Sequence, residues 1–199
     1  MDPAEAAYLR EALAGTGLPE HSDQLARAIR RSTRTPDGLL LTGPAEDEPW
    51  HLTAHLADEA RYSGIRELAP TLLRWNVHPS DPGHLRHSVT RLAEARRGES
   101  VLVVSDEPDG DALAPLLERV ADARRHGAAV FGLQAQPSEL GSVVNDCVTV
   151  SEYPPGLVSF EGSQHLLSLA VGASGAQAAR AGLRARLGLL LDRWAGLPS

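Results

Sequence analysis

The sequence predicts an α/β fold built around a parallel β-sheet. Its strand candidates are short apolar segments, too short for helices and too apolar for any but buried strands. Segments with helical periodicity separate them along the chain. Strands that alternate with helices at this spacing form a parallel sheet with right-handed crossovers.

Two helices are predicted before the first strand, one over residues 4–13 and one that begins near Ser22, after the Gly- and Pro-containing segment 15–19. The five strands are predicted at 39–42, within 65–74, and at 100–104, 128–133 and 147–150. The helices between them are predicted at 48–62, 83–97, 111–126 and 138–144. A helical tail is predicted over 159–194, with an interruption at 172–175.

The length and composition indicate one domain. The chain has 199 residues, of which 42% are hydrophobic and 23% are charged, as in ordinary globular proteins. We expect N-terminal helices at 1–35, an α/β core at 36–152 and C-terminal helices at 153–199. All 19 basic residues are arginine, which indicates a GC-rich, bacterial genome rather than a function.

Charge and apolar patterning argue against several classes of function. The net charge is −7 and the arginines form no single stripe, so nucleic-acid binding, which depends on phosphate neutralisation, is not expected. The chain has no apolar run of membrane-spanning length and no basic-then-apolar leader at its start, so we expect a cytoplasmic protein with no membrane partner. The single cysteine, Cys147, excludes an intramolecular disulfide.

Two acidic loops follow the first and third predicted strands, at 43–48 and 105–111. Ligands of open α/β sheets bind at the carboxyl ends of the strands, so these loops mark the place to look for a site. Their carboxylates, Asp106 among them, are suitable for a divalent cation or for an amine-bearing ligand. Asp47 and Asp111 are also good helix N-caps, and capping is the preferred interpretation.

The helix after the first strand carries His51, His55 and Glu59 at i, i+4 and i+8, on one face. Glutamate and histidine are suitable for moving a proton next to a carbonyl group. The same spacing is suitable for a divalent metal ion, zinc or magnesium, and it is also compatible with a solvated helix face. His165, on the predicted tail helix, is the candidate partner as acid or third ligand, and is otherwise an interface residue.

The middle of the chain carries a characteristic succession of motifs. A strand ends in Ser105, a loop with Gly110 follows, and then come segment 126–133 and Ser138-Glu139-Leu140. Segment 55–59 has the form His-x-x-x-Glu, and Gln164-His165 lies on the last helix. This succession, over roughly residues 23–171, resembles the sugar isomerase (SIS) domain family and is most similar to phosphoheptose isomerases.

The resemblance implies a three-layer αβα sandwich with a five-stranded parallel sheet in flavodoxin-like order. It implies a homodimer that binds a carbohydrate derivative, a sugar or sugar phosphate, and requires no cofactor. For an aldose–ketose isomerase, the implied catalytic residues are His55, Glu59 and His165. The implied ligand-binding residues are Gly43, Asp47, Ser105, Asp106, Gly110 and Asp111.

Both loops depart from the family's phosphate-binding pattern. That pattern is G-x-G-x-S in the first loop and S-x-S-G-x-[ST] in the second, where this chain has carboxylates. A desolvated carboxylate opposes a phosphate dianion. Two hypotheses therefore stay open: a sugar-phosphate isomerase, and a non-catalytic degenerate SIS domain that acts as a ligand sensor or a dimeric assembly module.

Overall fold

A computed structural model of the chain describes residues 3–106 and 113–172. Within these residues, five parallel strands form one sheet in the order β2-β1-β3-β4-β5. The strands are β1 (Leu39–Thr42), β2 (Pro70–Leu72), β3 (Ser100–Ser105), β4 (Ala129–Gln134) and β5 (Asp146–Thr149). This is the flavodoxin-like order. The strand predicted within 65–74 is β2, and the bounds of the other four strands match the prediction to within about one residue.

Helices cover both faces of the sheet. They are α1 (Pro3–Ala12), α2 (Leu18–Ser32), α3 (Trp50–Ser63), α4 (Ala114–Arg125), α5 (Leu140–Val143) and α6, which is helical over 160–172. The predicted tail beyond residue 172 lies outside the described residues. None of the described helices is both long and apolar enough to cross a bilayer.

Two apolar cores lie between these layers, because alternate residues of each buried strand point to opposite faces of the sheet. On the face covered by α2, α3 and α6, the core includes Leu25, Ile29, Leu39, Leu41, Leu52, Leu56, Leu102, Phe131, Leu166 and Leu167. On the face covered by α4 and α5, it includes Leu40, Leu92, Val101, Val103, Leu116, Val120, Val130 and Leu140. The predicted three-layer sandwich is therefore confirmed.

The helix predicted over 83–97 is wrong. The segment forms two short 3-10 helices, Gly83–Leu85 and Val89–Glu94. Between them the backbone bridges to Arg74, whose N–H donates to the carbonyl of His87 at 2.8 Å and whose carbonyl accepts from the N–H of Val89 at 2.8 Å. A backbone that pairs with the segment after β2 cannot also form the hydrogen bonds of a continuous helix.

The start of α2 also differs from the prediction. The helix begins at Leu18 rather than near Ser22, with Pro19 in its first turn. Proline is tolerated there because the first N–H groups of a helix have no partner within the helix. Gly17 precedes it with φ 85°, a left-handed conformation that glycine adopts readily.

Candidate functional site

The first acidic loop and Asp106, the first acid of the second, lie at the carboxyl edge of the sheet, where β1 and β3 are neighbours. Asp47 and Asp106 are both exposed. The pKa of the Asp47 carboxyl is raised, first by partial loss of solvent and second by the negative charge of Asp106. Gly110 and Asp111, also predicted to contact a ligand, lie outside the described residues.

The glycine and serine predicted to contact a ligand are buried at this edge. Ser105 is fully buried at the end of β3. A Cβ on Gly43 would lie 2.5 Å from the carbonyl oxygen of Asp47 and 2.8 Å from that of Val104, so the first loop folds back tightly on itself and on β3. The carboxylates of Asp47 and Asp106, rather than the glycine or the hydroxyl, are the groups exposed to solvent.

Glu48, the last acid of the first loop, has a structural role that the sequence did not indicate. Its Oε1 accepts from the backbone N–H of Trp75 at 2.8 Å, and its Oε2 accepts from Nε of Arg74 at 3.2 Å. Arg74 also donates to Asp81 at 2.9 Å, and the indole N–H of Trp75 donates to the carbonyl of Gly43 at 2.8 Å. These bonds fix the loop after β1 to the segment after β2.

Three histidines from two helices meet near the same edge. His51 and His55 lie on the first two turns of α3, and His165 lies on α6. The ring centroids are 4.5 Å apart for His51 and His55, 4.7 Å for His51 and His165, and 4.4 Å for His55 and His165. One ring nitrogen from each histidine lies within 4.8 Å of the other two. We call His51, His55 and His165 the three-histidine cluster.

The packing of α3 beside α6 brings the cluster together. Glu161 of α6 approaches His51 at 3.5 Å, His165 contacts His55, and Gly172 lies against Glu59, so the two helices run in the same direction. Leucines of both helices are fully buried beneath the cluster: Leu52, Leu56, Leu166 and Leu167. Burial of these side chains holds the two backbones in register.

Its surroundings disfavour protonation of His55. The pKa of His55 is lowered, first by burial and then by the charges that His165 and His51 would carry. Glu161 lies 3.5 Å from Nε2 of His51, but its side chain is 69% exposed, so solvent weakens this contact. Nε2 of His51 lies 3.1 Å from Nε2 of His165, a hydrogen-bond distance that two neutral rings satisfy when one donates and the other accepts.

Glu59, predicted to share a site with His51 and His55, lies one turn further along α3. Its carboxylate packs so closely on α6 that a Cβ on Gly172 would overlap Oε2. Burial raises the pKa of this half-buried carboxyl. The third imidazole beside His51 and His55 comes instead from His165, which sequence reasoning named as a partner.

We expect the substitution Glu59→Gln to raise Tm near neutral pH. A raised pKa means that the folded protein holds the proton more tightly than the unfolded chain, so folding stability falls as pH rises from the unfolded value of 4.5 through the folded value. Glutamine carries no charge and avoids this loss. Thermal unfolding of the variant and the wild type should show a gain at about pH 7 that shrinks towards about pH 4.

The control for this prediction is Glu118→Gln, at an exposed position on α4. An exposed substitution of this kind typically changes the free energy of unfolding by less than about 0.5 kcal/mol. An equal gain in both variants, or a gain from Glu59→Gln that does not depend on pH, would contradict the assignment of Glu59.

Comparisons with known proteins identify the fold. No protein-family model matches the chain, and no curated protein matches it. The sugar isomerase domain of an RpiR transcription factor from Sphaerobacter thermophilus is 18% identical, with a TM-score of 0.55 over 96% of this chain and 95% of that chain. A protein from Methanococcus jannaschii, whose structure infers the function of a 3-hexulose-6-phosphate isomerase, is 9% identical, with a TM-score of 0.52 over 89% and 88%.

A third match is a Salmonella typhimurium protein whose name indicates sugar binding. It is 18% identical, with a TM-score of 0.53 over 85% of this chain, and this chain covers 46% of its length. These proteins include a domain of a regulator and a protein inferred to be an isomerase, so the shared fold is compatible with more than one function.

Proposed function

Because the chain has the fold of SIS domains, we propose that it binds a sugar or sugar phosphate at the carboxyl edge of its sheet and interconverts aldose and ketose forms. The observation that carries this proposal is the contact of His55 with His165, whose ring centroids are 4.4 Å apart at the edge where open α/β sheets bind ligands. The names of the matched proteins support a sugar or sugar phosphate as the ligand class.

Aldose–ketose isomerisation moves a proton from the carbon next to the carbonyl group to the carbonyl carbon. A second proton moves from the hydroxyl of the first carbon to the carbonyl oxygen. The reaction needs a base and an acid that reach the same short stretch of substrate. Imidazole exchanges protons near neutral pH, and His55 and His165 are close enough to each other to reach two adjacent carbons of one substrate from the same side. We assign these two histidines the proton transfers in the metal-free protein. Glu59 lies one turn after His55 on α3 and is a further candidate for proton transfer, with the pKa of its carboxyl raised by burial.

A second candidate function is a ligand sensor without catalysis. Asp47 and Asp106 favour it, because their exposed carboxylates stand at the edge where the family pattern has phosphate-binding residues. Like charges across a binding site cost affinity. This acid pair favours a neutral or amine-bearing sugar over a phosphate dianion.

The test is a thermal-shift panel of sugar phosphates, free sugars and amino sugars, followed by an isomerase assay with each ligand that stabilises the protein. We expect His55→Asn and His165→Asn to lower turnover by about 10²–10⁴-fold while the thermal shift by ligand is retained. The matched control is His126→Asn, at an exposed position after α4, which should keep full turnover.

Each result of this panel decides between the candidates. Stabilisation by a sugar without turnover would support the sensor and contradict the isomerase. Stabilisation by none of the sugar classes would contradict both candidates.

A further inference from the structure

The three-histidine cluster also has the geometry of a metal-ligand set. Imidazole nitrogens bind zinc at about 2.0–2.1 Å, so neighbouring ligand nitrogens in a tetrahedral site lie about 3.3 Å apart. Nε2 of His51 and Nε2 of His165 are already 3.1 Å apart, and one nitrogen of each of the three rings lies within 4.8 Å of the others. Closing the widest gap needs a movement of about 1.5 Å, which side-chain torsions can supply.

The three rings are inclined to one another as ligands around one metal ion are, and are not stacked in parallel. The planes of the three rings are inclined to one another by 72°, 88° and 69°. Two of the ligands are one turn apart on α3 and the third is on α6, and both helices are anchored by buried leucines. The packing of α3 and α6 therefore fixes the backbone positions of the three histidines without a bound ion.

Electrostatics favour a bound metal cation over protonation of the three rings. Three imidazoles in mutual contact repel one another when protonated, whereas metal ligation requires the neutral form. The carboxylate of Glu161 lies 3.5 Å from Nε2 of His51 and one turn before His165, within reach as a fourth ligand. One carboxylate beside three imidazoles is a ligand set that suits a divalent cation of the zinc class.

We propose that His51, His55 and His165 bind a divalent transition-metal ion of the zinc class, with Glu161 as the fourth ligand or its neighbour. Imidazole ligands select zinc, copper or nickel over magnesium, which prefers oxygen. This ligand set replaces Glu59 of the sequence-based candidate with His165. Binding of the ion does not require that the protein act on a sugar, so the proposal goes beyond the proposed function. A bound ion would occupy the nitrogen lone pairs that carry protons in the metal-free protein, and the chemistry it would supply is polarisation of a substrate carbonyl group.

The experiment uses the full chain without an affinity tag, stripped with a chelator and titrated with Co²⁺ and then Zn²⁺. We expect one ion per chain, the visible absorption bands of four-coordinate Co²⁺ and their loss when Zn²⁺ displaces it. Mg²⁺ at the same concentration should not displace Co²⁺. Zn²⁺ should also raise Tm, because it binds the folded state.

Four variants identify the ligands. His165→Ala and His51→Ala should weaken Co²⁺ binding by more than about 100-fold, beyond the 10–100-fold typical of outer-shell partners. Glu59→Gln and His126→Ala should leave it unchanged. The side chain of His51 is 43% exposed, so His51→Ala keeps the test valid if His165→Ala does not fold.

Two results would overturn the proposal: no cobalt absorption, or binding that depends on Glu59 and not on His165. The outcomes also separate this proposal from the proposed function. Sugar turnover by a protein that binds no Zn²⁺ would overturn the metal site alone, and Zn²⁺ binding by a protein that responds to no sugar would overturn the proposed function alone.

Discussion

Replacing Arg74 by methionine is expected to lower the free energy of unfolding by about 3 kcal/mol, at the lower end of the range for breaking a buried ion pair. The side chains of Arg74 and Glu48 are 18% and 11% exposed. Without the guanidinium, the carboxylate of Glu48 stays largely buried, and among the described residues it keeps the hydrogen bond from the N–H of Trp75. The variant also loses the bond to Asp81 and the contact of Arg74 with the ring of Trp50.

Urea denaturation of the variant and the wild type measures this loss. The matched control is Arg86→Met, at an exposed position in the next segment, for which we expect a change below about 0.5 kcal/mol. A double variant with Glu48→Leu should lose less than Arg74→Met alone, because it leaves no unpaired charge. A loss from Arg74→Met no larger than that of Arg86→Met would show that Glu48 does not need its partner.

Replacing Leu56 by alanine is expected to lower the free energy of unfolding by about 2–5 kcal/mol. Leu56 is fully buried in the core that joins α3 to the sheet and to α6. The substitution removes apolar contacts and leaves a cavity beneath the turn that carries His55. We also expect weaker Co²⁺ binding, because α3 positions two of the three imidazoles.

Leu157→Ala is the matched control, since that leucine is 45% exposed and the same side-chain atoms are removed. Its effect should be below about 1 kcal/mol. Equal losses in the two variants, measured as midpoint shifts at unchanged denaturant slope, would contradict the placement of Leu56 in the core.

The strands were the most predictable part of the fold. Leu39–Thr42 and Ser100–Ser105 are buried on both faces, and such strands appear in the sequence as short, uniformly apolar runs. Segment 83–97, after β2, was wrongly predicted to be one helix. Its apolar residues Val89 and Leu92 are buried, but they belong to a short 3-10 helix. Local periodicity does not show that Arg74 pairs with this backbone.

The acidic loops show which features of a site cannot be predicted from the local sequence. The sequence predicted acidic residues at the carboxyl edge, and the effect of the charge of Asp106 on the pKa of Asp47 follows from the adjacency of β1 and β3. It did not indicate that Glu48 pairs with Arg74 and with the backbone of Trp75, because these partners lie 26 and 27 positions away. Hydrogen bonds over such separations depend on how the strands are arranged.

By itself, the sequence determined the α/β class, the alternation of strands and helices, and the shared helix face of His51, His55 and Glu59, because these depend on residue periodicity along one segment. Only the tertiary structure decided that His165 joins His51 and His55 while Glu59 packs against Gly172. The register between α3 and α6 determines which of these side chains meet. It is set by the packing of leucines on two helices that are about a hundred residues apart in the chain, and no local pattern encodes it.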